Sequence, residues 1–317
     1  MHTKLSESTI QLGDPVEHRG IVIAPLFPRR QPRARYLTLE EAIPLGLRVT
    51  EVDAAGSVPE LLVTNPLEAN VLLYDGEELI GAKQNRILNV TVLVPAQSET
   101  RIPVSCVEEG RWSARSSFLS AAPHSAHYAV RRAKAEMLSA EPMALGLAQA
   151  QVWEEVRTKA ARFSAESLTG AESDVFRSRE DDLAKLRKAF PYMPGQSGAL
   201  FALGPQRLCL DYVSRPEAFA RLYPKLLDGY LLDGLEYLGK KAASADALEF
   251  FVAQVEAAPR SRRRSPGLGD DLRLRRDRVV GSRLELEGEL LQLCAFSTDA
   301  STAAVRTTIA PPTRRRS

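Results

Sequence analysis

The sequence predicts an α+β protein, with an N-terminal antiparallel β-sandwich or barrel-like region followed by a helical region that carries additional β-hairpins. Three observations carry this. Apolar runs broken by turn residues every eight to twelve residues or so fill the first third of the chain. After Trp112 the apolar spacing shifts to the helical period of about 3.6. Around residues 199–213 and 279–300, pairs of apolar runs flank turn residues, the pattern of hairpins.

In chain order, Ile21-Val22-Ile23-Ala24 and residues 47–52 read as strands. Between them Thr38 and Glu41 have capping-box spacing, which predicts a brief helix stopped by Pro44. Leu61-Leu62-Val63 ends at Asn65-Pro66, and Val71-Leu72-Leu73-Tyr74 ends at Asp75-Gly76. A long alternating strand is expected over residues 87–94 and another over 100–107. Helices are expected over residues 128–138 and 147–163, separated at Glu141-Pro142, then over 180–190, 216–238 and 247–257. Residues 191–198, rich in Pro and Gly, read as a loop. The implied organisation is a β-rich region at 1–112, a helical region at 113–259 with a hairpin near 199–213, and an arginine-rich loop at 260–278. A C-terminal hairpin at 279–300 and a disordered tail at 301–317 complete it, as separate regions or as parts of one composite domain. The C-terminal hairpin needs a sheet to join, either the one begun at Ala199 or the N-terminal one.

The composition, 44% hydrophobic and 26% charged, is far from that of a disordered chain, so a folded core is expected. No apolar run reaches the roughly 20 residues of a bilayer span, and the N-terminus lacks the pattern of a signal peptide, so a cytoplasmic location without membrane contact is expected. Cys106, Cys209 and Cys294 lie far apart without a CxxC, which argues for reduced, buried thiols. His124 and His127 are spaced to share a helix face, yet no third ligand stands at a diagnostic distance, so no metal site is assigned. The sequence contains no GxGxxG, P-loop, GxSxG or HExxH.

Two polar clusters remain. The first, Glu77, Glu78, Lys83, Gln84, Asn85 and Arg86, sits beside the Asp75-Gly76 turn, where a sheet edge would present its donors. Arg86 offers a fork for a carboxylate or phosphate, Lys83 a point charge, and Gln84 and Asn85 both donors and acceptors. Taken alone, such a cluster also fits a solvated, self-paired turn. The second runs from Cys106 to Trp112, with Glu108, Arg111 and Trp112 supplying a carboxylate, a fork and a stacking surface. Cys106 has no base near it in sequence that would make it a nucleophile.

The runs Tyr74-Asp75-Gly76-Glu77-Glu78-Leu79-Ile80-Gly81-Ala82-Lys83-Gln84-Asn85-Arg86 and Pro103-Val104-Ser105-Cys106-Val107-Glu108-Glu109-Gly110-Arg111-Trp112, with Val94-Pro95-Ala96 between them, resemble the ARG and Rhodanese-Phosphatase-superfamily-associated protein domain family. Weaker similarity continues through Pro194-Gly195-Gln196-Ser197-Gly198 to about Phe296. The family's name records an association with ADP-ribosylglycohydrolases and rhodanese-phosphatase enzymes, and no activity is attached to the domain itself. The resemblance therefore implies ADP-ribose or NAD-derived chemistry by association, in a bacterial-type cytoplasmic system, and implies that residues 83–86 and 108–112 line a common site.

The expectation is a domain that binds, or binds and processes, a small anionic, nucleotide-like ligand. Lys83, Arg86 and Arg111 would hold phosphates, Trp112 would stack, and Gln84 and Asn85 would orient the ligand. Glu78 or Glu108 would serve as general acid or base if a reaction occurs. No cofactor and no oligomeric state is assigned. A second reading is a nucleic-acid-binding or scaffold protein using Arg260, Arg262, Arg263 and Arg264. A third is that both polar clusters form an internal salt-bridge network.

Overall fold

The computed structural model describes residues 10–30, 32–53, 59–140 and 145–298, without the side chains of residues 140 and 145–148. The expected break at Glu141-Pro142 and the expected C-terminal tail lie outside the described residues. Strands β1 (Ile10–Leu12), β2 (Val16–His18), β3 (Ile21–Pro28) and β4 (Leu37–Thr38) lead into helix α1 (Leu39–Leu45). Next come β5 (Arg48–Glu51), β6 (Glu60–Asn65), β7 (Val71–Leu73), β8 (Glu77–Gly81), β9 (Arg86–Leu88), β10 (Val92–Val94), β11 (Ser98–Cys106) and β12 (Leu119–Ser125). Helices α2 (Tyr128–Ala140), α3 (Leu145–Phe163), α4 (Glu172–Ser178) and α5 (Glu180–Arg187) precede the hairpin β13 (Gly198–Leu203) and β14 (Arg207–Val213). Then follow α6 (Pro216–Gly234), α7 (Ala245–Glu256), β15 (Arg260–Arg264), β16 (Asp270–Arg276), β17 (Val279–Leu286) and β18 (Glu289–Ser297).

These strands build three sheets. β12-β8-β9-β11-β6-β5 form an antiparallel six-stranded sheet that curls into a half-barrel, bringing its end strands β12 and β5 into contact. β10-β7-β4 form a small sheet beside it, and a nine-stranded sheet runs β1-β3-β13-β14-β18-β17-β16-β15 with β2 also on β3. The C-terminal hairpin therefore joins a sheet that contains both strands it was expected to choose between, since β3 pairs with β13 and β14 with β18. The sheets thus do not follow the expected division at residue 112.

Three other expectations need correction. The run 87–94 is not one strand: β9 pairs with β11 in the half-barrel, while β10 pairs with β7 in the small sheet. Between them Asn89 and Thr91 are tied by side-chain hydrogen bonds to Ser105 (2.8 Å) and to the Asp75 amide (3.0 Å), so alternation in the sequence persists across a change of sheet. Residues 260–278 are not a loop but the paired strands β15 and β16: Asp271 and Arg273, buried as an ion pair, and Leu274, packed toward α7, anchor a stretch whose charge masks it in the sequence. α1 continues one residue past Pro44; what stops it is Gly46, with φ 118°, after the predicted Thr38/Glu41 capping box has started it.

Alternation sorts the nine-stranded sheet's side chains. Ile21, Ile23 and Phe201 face a core shared with α5 and α6, while Val22, Ala24, Leu200 and Ala202 face α7. A separate core fills the half-barrel with Val49, Val63, Leu79, Leu88 and Val104. Ile87 and Val107 on its outer face pack against Val130, Val152 and Val156 of α2 and α3.

The half-barrel and the large sheet are joined through charge. Arg131 of α2 makes a two-pronged ion pair with Asp211 of β14 at 2.8 and 2.9 Å, and Tyr74 donates to the same carboxylate at 2.7 Å. Tyr230 of α6 also donates to Asp211. One turn along α2, Lys134 pairs with Asp75 and donates to the Leu88 carbonyl at 2.7 Å. Gly76, at φ 81°, is required here: a Cβ would sit 2.6 Å from the Arg131 side chain. All four charged side chains are buried. Removing one partner strands the other's charge in a dry interior, which costs about 3–5 kcal/mol. Asp211→Ala is therefore expected to lose about that much in urea unfolding, whereas Glu60→Ala, which removes the exposed 3.5 Å pair with Arg101, is expected to change stability by less than about 1 kcal/mol.

Candidate functional site

The register β8–β9–β11 brings the two polar motifs of the sequence together. Leu79 lies opposite Arg86, and Arg86 opposite Cys106. Side chains directly opposite share a face, so Arg86 and Cys106 point with Leu79 and Leu88 into one end of the half-barrel. Between β8 and β9 the chain turns tightly: Gly81 has φ 127°, and a Cβ there would lie 2.5 Å from Ser116 Oγ and 2.8 Å from the Phe118 carbonyl. The absence of a side chain lets residues 111–118 lie across the turn.

Arg111 is the frame of this mouth. Its terminal nitrogens donate to the carbonyls of Ala82 (2.6 Å), Ser113 (2.7 Å) and Gly81 (3.2 Å), to Asn85 Oδ1 (3.3 Å) and to Glu108 Oε2 (2.6 Å). Glu108 in turn accepts from the Asn85 amide (3.1 Å) and Thr169 Oγ1 (2.8 Å). Burial alone would raise the Glu108 pKa, but these donors outweigh it and hold the carboxyl below its usual range. Glu108, Arg111 and Asn85 are thus buried and engaged with one another.

Arg86 is different. It is fully buried, and Nη1 donates to Gln84 Oε1 at 2.8 Å and to Cys106 Sγ. Its Nε and Nη2 have no hydrogen-bond partner. Nη2 faces Glu51 Oε2 at 3.8 Å, beyond hydrogen-bond distance, and that oxygen also has no partner. Above them lies Trp112, 47% exposed, with both the Arg86 guanidinium and Lys83 Nζ 5.4 Å from its ring centre. The Lys83 amide donates to Glu51 Oε1 at 3.3 Å. Burial pushes the Cys106 thiol up to about 11 against the pull of Arg86, and Gln149 clasps its backbone at 2.7 and 2.8 Å, so the sulfur is a neutral packing group. Two grooves lie elsewhere, one of about 320 Å³ beside α7 and one of about 310 Å³ between Arg35, Asn70 and Arg215.

Glu78 is on the opposite side of the sheet. It pairs across the strands with Ile87, whose side chain faces the helices, and hydrogen-bonds His124 Nε2 at 2.6 Å. His124 stacks on Phe176, with ring centres 3.8 Å apart. Nearby, Glu172 grips His127 through Nδ1 (2.6 Å) and the backbone amide (2.9 Å). The two histidines lie on β12 and just beyond it rather than on one helix face, and each holds its own carboxylate. Among the described residues no group of three or more His, Cys, Asp or Glu is placed to hold a metal ion.

The family model of the ARG and Rhodanese-Phosphatase-superfamily-associated Protein domain, ARPP-1, matches residues 9–296. The chain belongs to the ARPP-1 family. Its match spans the half-barrel, the helices and the nine-stranded sheet, so an ARPP-1 unit comprises all of them. No curated protein and no solved structure matches the chain.

Of the residues singled out in the sequence, Lys83, Gln84, Asn85, Arg86, Glu108, Arg111 and Trp112 come together at the mouth of the ARPP-1 half-barrel, and Glu78 does not. Glu51 is missing from that group, because it lies on β5, across the curl, where one Glu in an alternating strand gives no signal. The Glu78–His124 and Glu172–His127 pairs were equally hidden, since Glu172 reads as an ordinary acid in a first helical turn.

Burial opposes a charge on both Glu78 and His124. For Glu78 burial prevails, helped by Glu172 and Glu108, and raises its pKa despite His124. For His124 the neighbouring Glu78 prevails and raises it. A raised folded pKa stabilises below the unfolded value and loses that contribution as pH rises through the folded one. Urea midpoints are therefore expected to fall as pH rises above 6.5, the ordinary histidine value. The double variant Glu78→Gln/His124→Gln should flatten this slope, and an unchanged slope would contradict the assignment.

Proposed function

We propose that this protein binds a small anionic, nucleotide-like ligand of the ADP-ribose or NAD-derived class at the mouth of the half-barrel. The observation that carries the reading is the gap between Arg86 Nη2 and Glu51 Oε2, 3.8 Å across, with neither atom hydrogen-bonded. Buried polar atoms rarely go unpaired unless a group is missing between them. A sugar hydroxyl fits: it donates to the carboxylate and accepts from the guanidinium, whereas a bare phosphate would be repelled by Glu51. Trp112 lies over this gap and exposes half its surface, so rotation of that one side chain uncovers Arg86 and offers a ring for a base to stack on. Lys83 at the rim and Arg115, 58% exposed, supply positive charge for phosphates outside the barrel.

Gln84 orients Arg86 from its carbonyl side, while Asn85, Arg111 and Glu108 hold the loop rather than meet the ligand. The sheet separates Glu78 from this mouth, and Glu108 is saturated with donors, so the reading is one of binding without an assigned reaction. The family name contributes the ADP-ribose association and nothing about mechanism.

Isothermal titration with ADP-ribose and NAD is expected to give saturable one-to-one binding. Stacking of one base on an aromatic ring contributes about 1–3 kcal/mol, so Trp112→Ala should weaken binding roughly five- to 150-fold. Glu51→Gln, which keeps the shape and removes the charge, should weaken it less. Absence of heat from every such nucleotide with the folded protein, or equal affinity in Trp112→Ala, would overturn the reading.

A further inference from the structure

The arginine-rich stretch of the sequence becomes, in the fold, the edge of the nine-stranded sheet. β15 is the terminal strand, paired only on its inner side, where Arg260 to Arg264 face Leu274 to Asp270 of β16. Among the described residues no other strand pairs with its outer side, and four of its five residues are exposed. The outer edge therefore presents a row of backbone donors and acceptors to solvent.

Alternation places Arg260, Arg262 and Arg264 on one face, the face on which Leu274 packs toward α7. Arg262 is paired with Asp270 at 2.6 Å. Among the described residues Arg260 and Arg264 have no acidic side chain within ion-pair distance. Arg283 is paired with Glu285, and burial together with the nearby Arg260 lowers its pKa against the pull of that carboxylate.

We propose that β15 is a docking edge for an acidic, extended segment of a partner protein, which adds as a further antiparallel strand. Two features select this occupant together. An added strand satisfies both the free amides and the free carbonyls of the edge, whereas the phosphates of a nucleic acid only accept and leave the carbonyls without a donor. The arginines on one face lie about 5 Å from the cross-strand neighbours of an added strand, so carboxylates at every second residue meet them in register. A second copy of this chain is the wrong partner, because edge-to-edge pairing of two β15 strands sets arginine beside arginine. The same charge that guards the edge against self-association thus defines what it accepts. This proposal is independent of the ligand site at the half-barrel mouth, which lies on a different sheet.

The test uses the full-length protein and a blocked heptapeptide alternating glutamate and valine. Its titration, followed by amide shifts in two-dimensional NMR, is expected to saturate and to move β15 and β16 resonances first. The double variant Arg260→Glu/Arg264→Glu, both at exposed positions, should weaken the peptide at least tenfold. A proline at the peptide's centre, which removes an amide and breaks the extended ladder, should weaken it as much. Equal binding of the proline peptide, equal binding by the variant, or binding of a single-stranded oligodeoxynucleotide in place of the peptide would each overturn the proposal.

Discussion

The structure depends on the buried ion pair between Arg131 and Asp211. The half-barrel keeps its own apolar core, while the core on the large sheet reaches out to Leu72, Tyr74 and Tyr128, so the boundary between the two runs beside the Arg131 pair. The guanidinium fixes them, because its fork accepts one carboxylate geometry and its face is flanked by Tyr74, Tyr230 and Phe296, each 5.3–5.7 Å from ring centre to guanidinium carbon. Tyr74 belongs to the turn that begins the first motif, Asp211 to the central hairpin and Tyr230 to α6. One residue thus ties together segments more than a hundred positions apart. Lys134 and Asp75 repeat the device one turn away, where Lys134 and Arg131 outweigh burial and lower the Asp75 pKa.

That rigidity is what gives meaning to an unsatisfied group at the barrel mouth. Glu108, Arg111 and Asn85 hold a turn by pairing with one another, but buried rather than in solvent as the self-paired turn would be. Arg86, in the first motif, is equally buried, yet two of its three nitrogens, against one of Arg111's, find no hydrogen-bond partner. In the proposed site, this contrast makes Arg111 and Glu108 the frame and Arg86 the group that meets the ligand. Trp112 belongs to both, since its backbone follows the clamped Arg111 while its half-exposed ring lies over Arg86.

Much of this was legible in the sequence for local reasons. The capping box at Thr38 and Glu41, the 3.6-residue spacing of α2, α3 and α6, and the hairpins around 199–213 and 279–297 are written in neighbouring residues, and they stand where they were expected. The two polar motifs were legible as compositional density, which alone read as a self-paired turn, and the family resemblance singled them out. What was not legible depends on long-range pairing. Alternation over residues 87–94 cannot reveal that the chain changes sheet at Asn89, and arginines at 260–264 obscure a strand whose pairing partner lies ten residues on. Nor can a lone Glu51 announce that a curled sheet will carry it to Arg86, or an isolated Glu78 that it will meet His124 on the far face.

The central claim is that Arg86 and Glu51 wait for a ligand beneath Trp112, and the ring itself is the most direct reporter. With Trp153→Phe removing the only other tryptophan, emission from Trp112 is expected to change saturably on titration with ADP-ribose. The change should be lost in Arg86→Met with the fold intact by circular dichroism. An emission spectrum indifferent to ADP-ribose and NAD, or a response that survives Arg86→Met, would contradict the account.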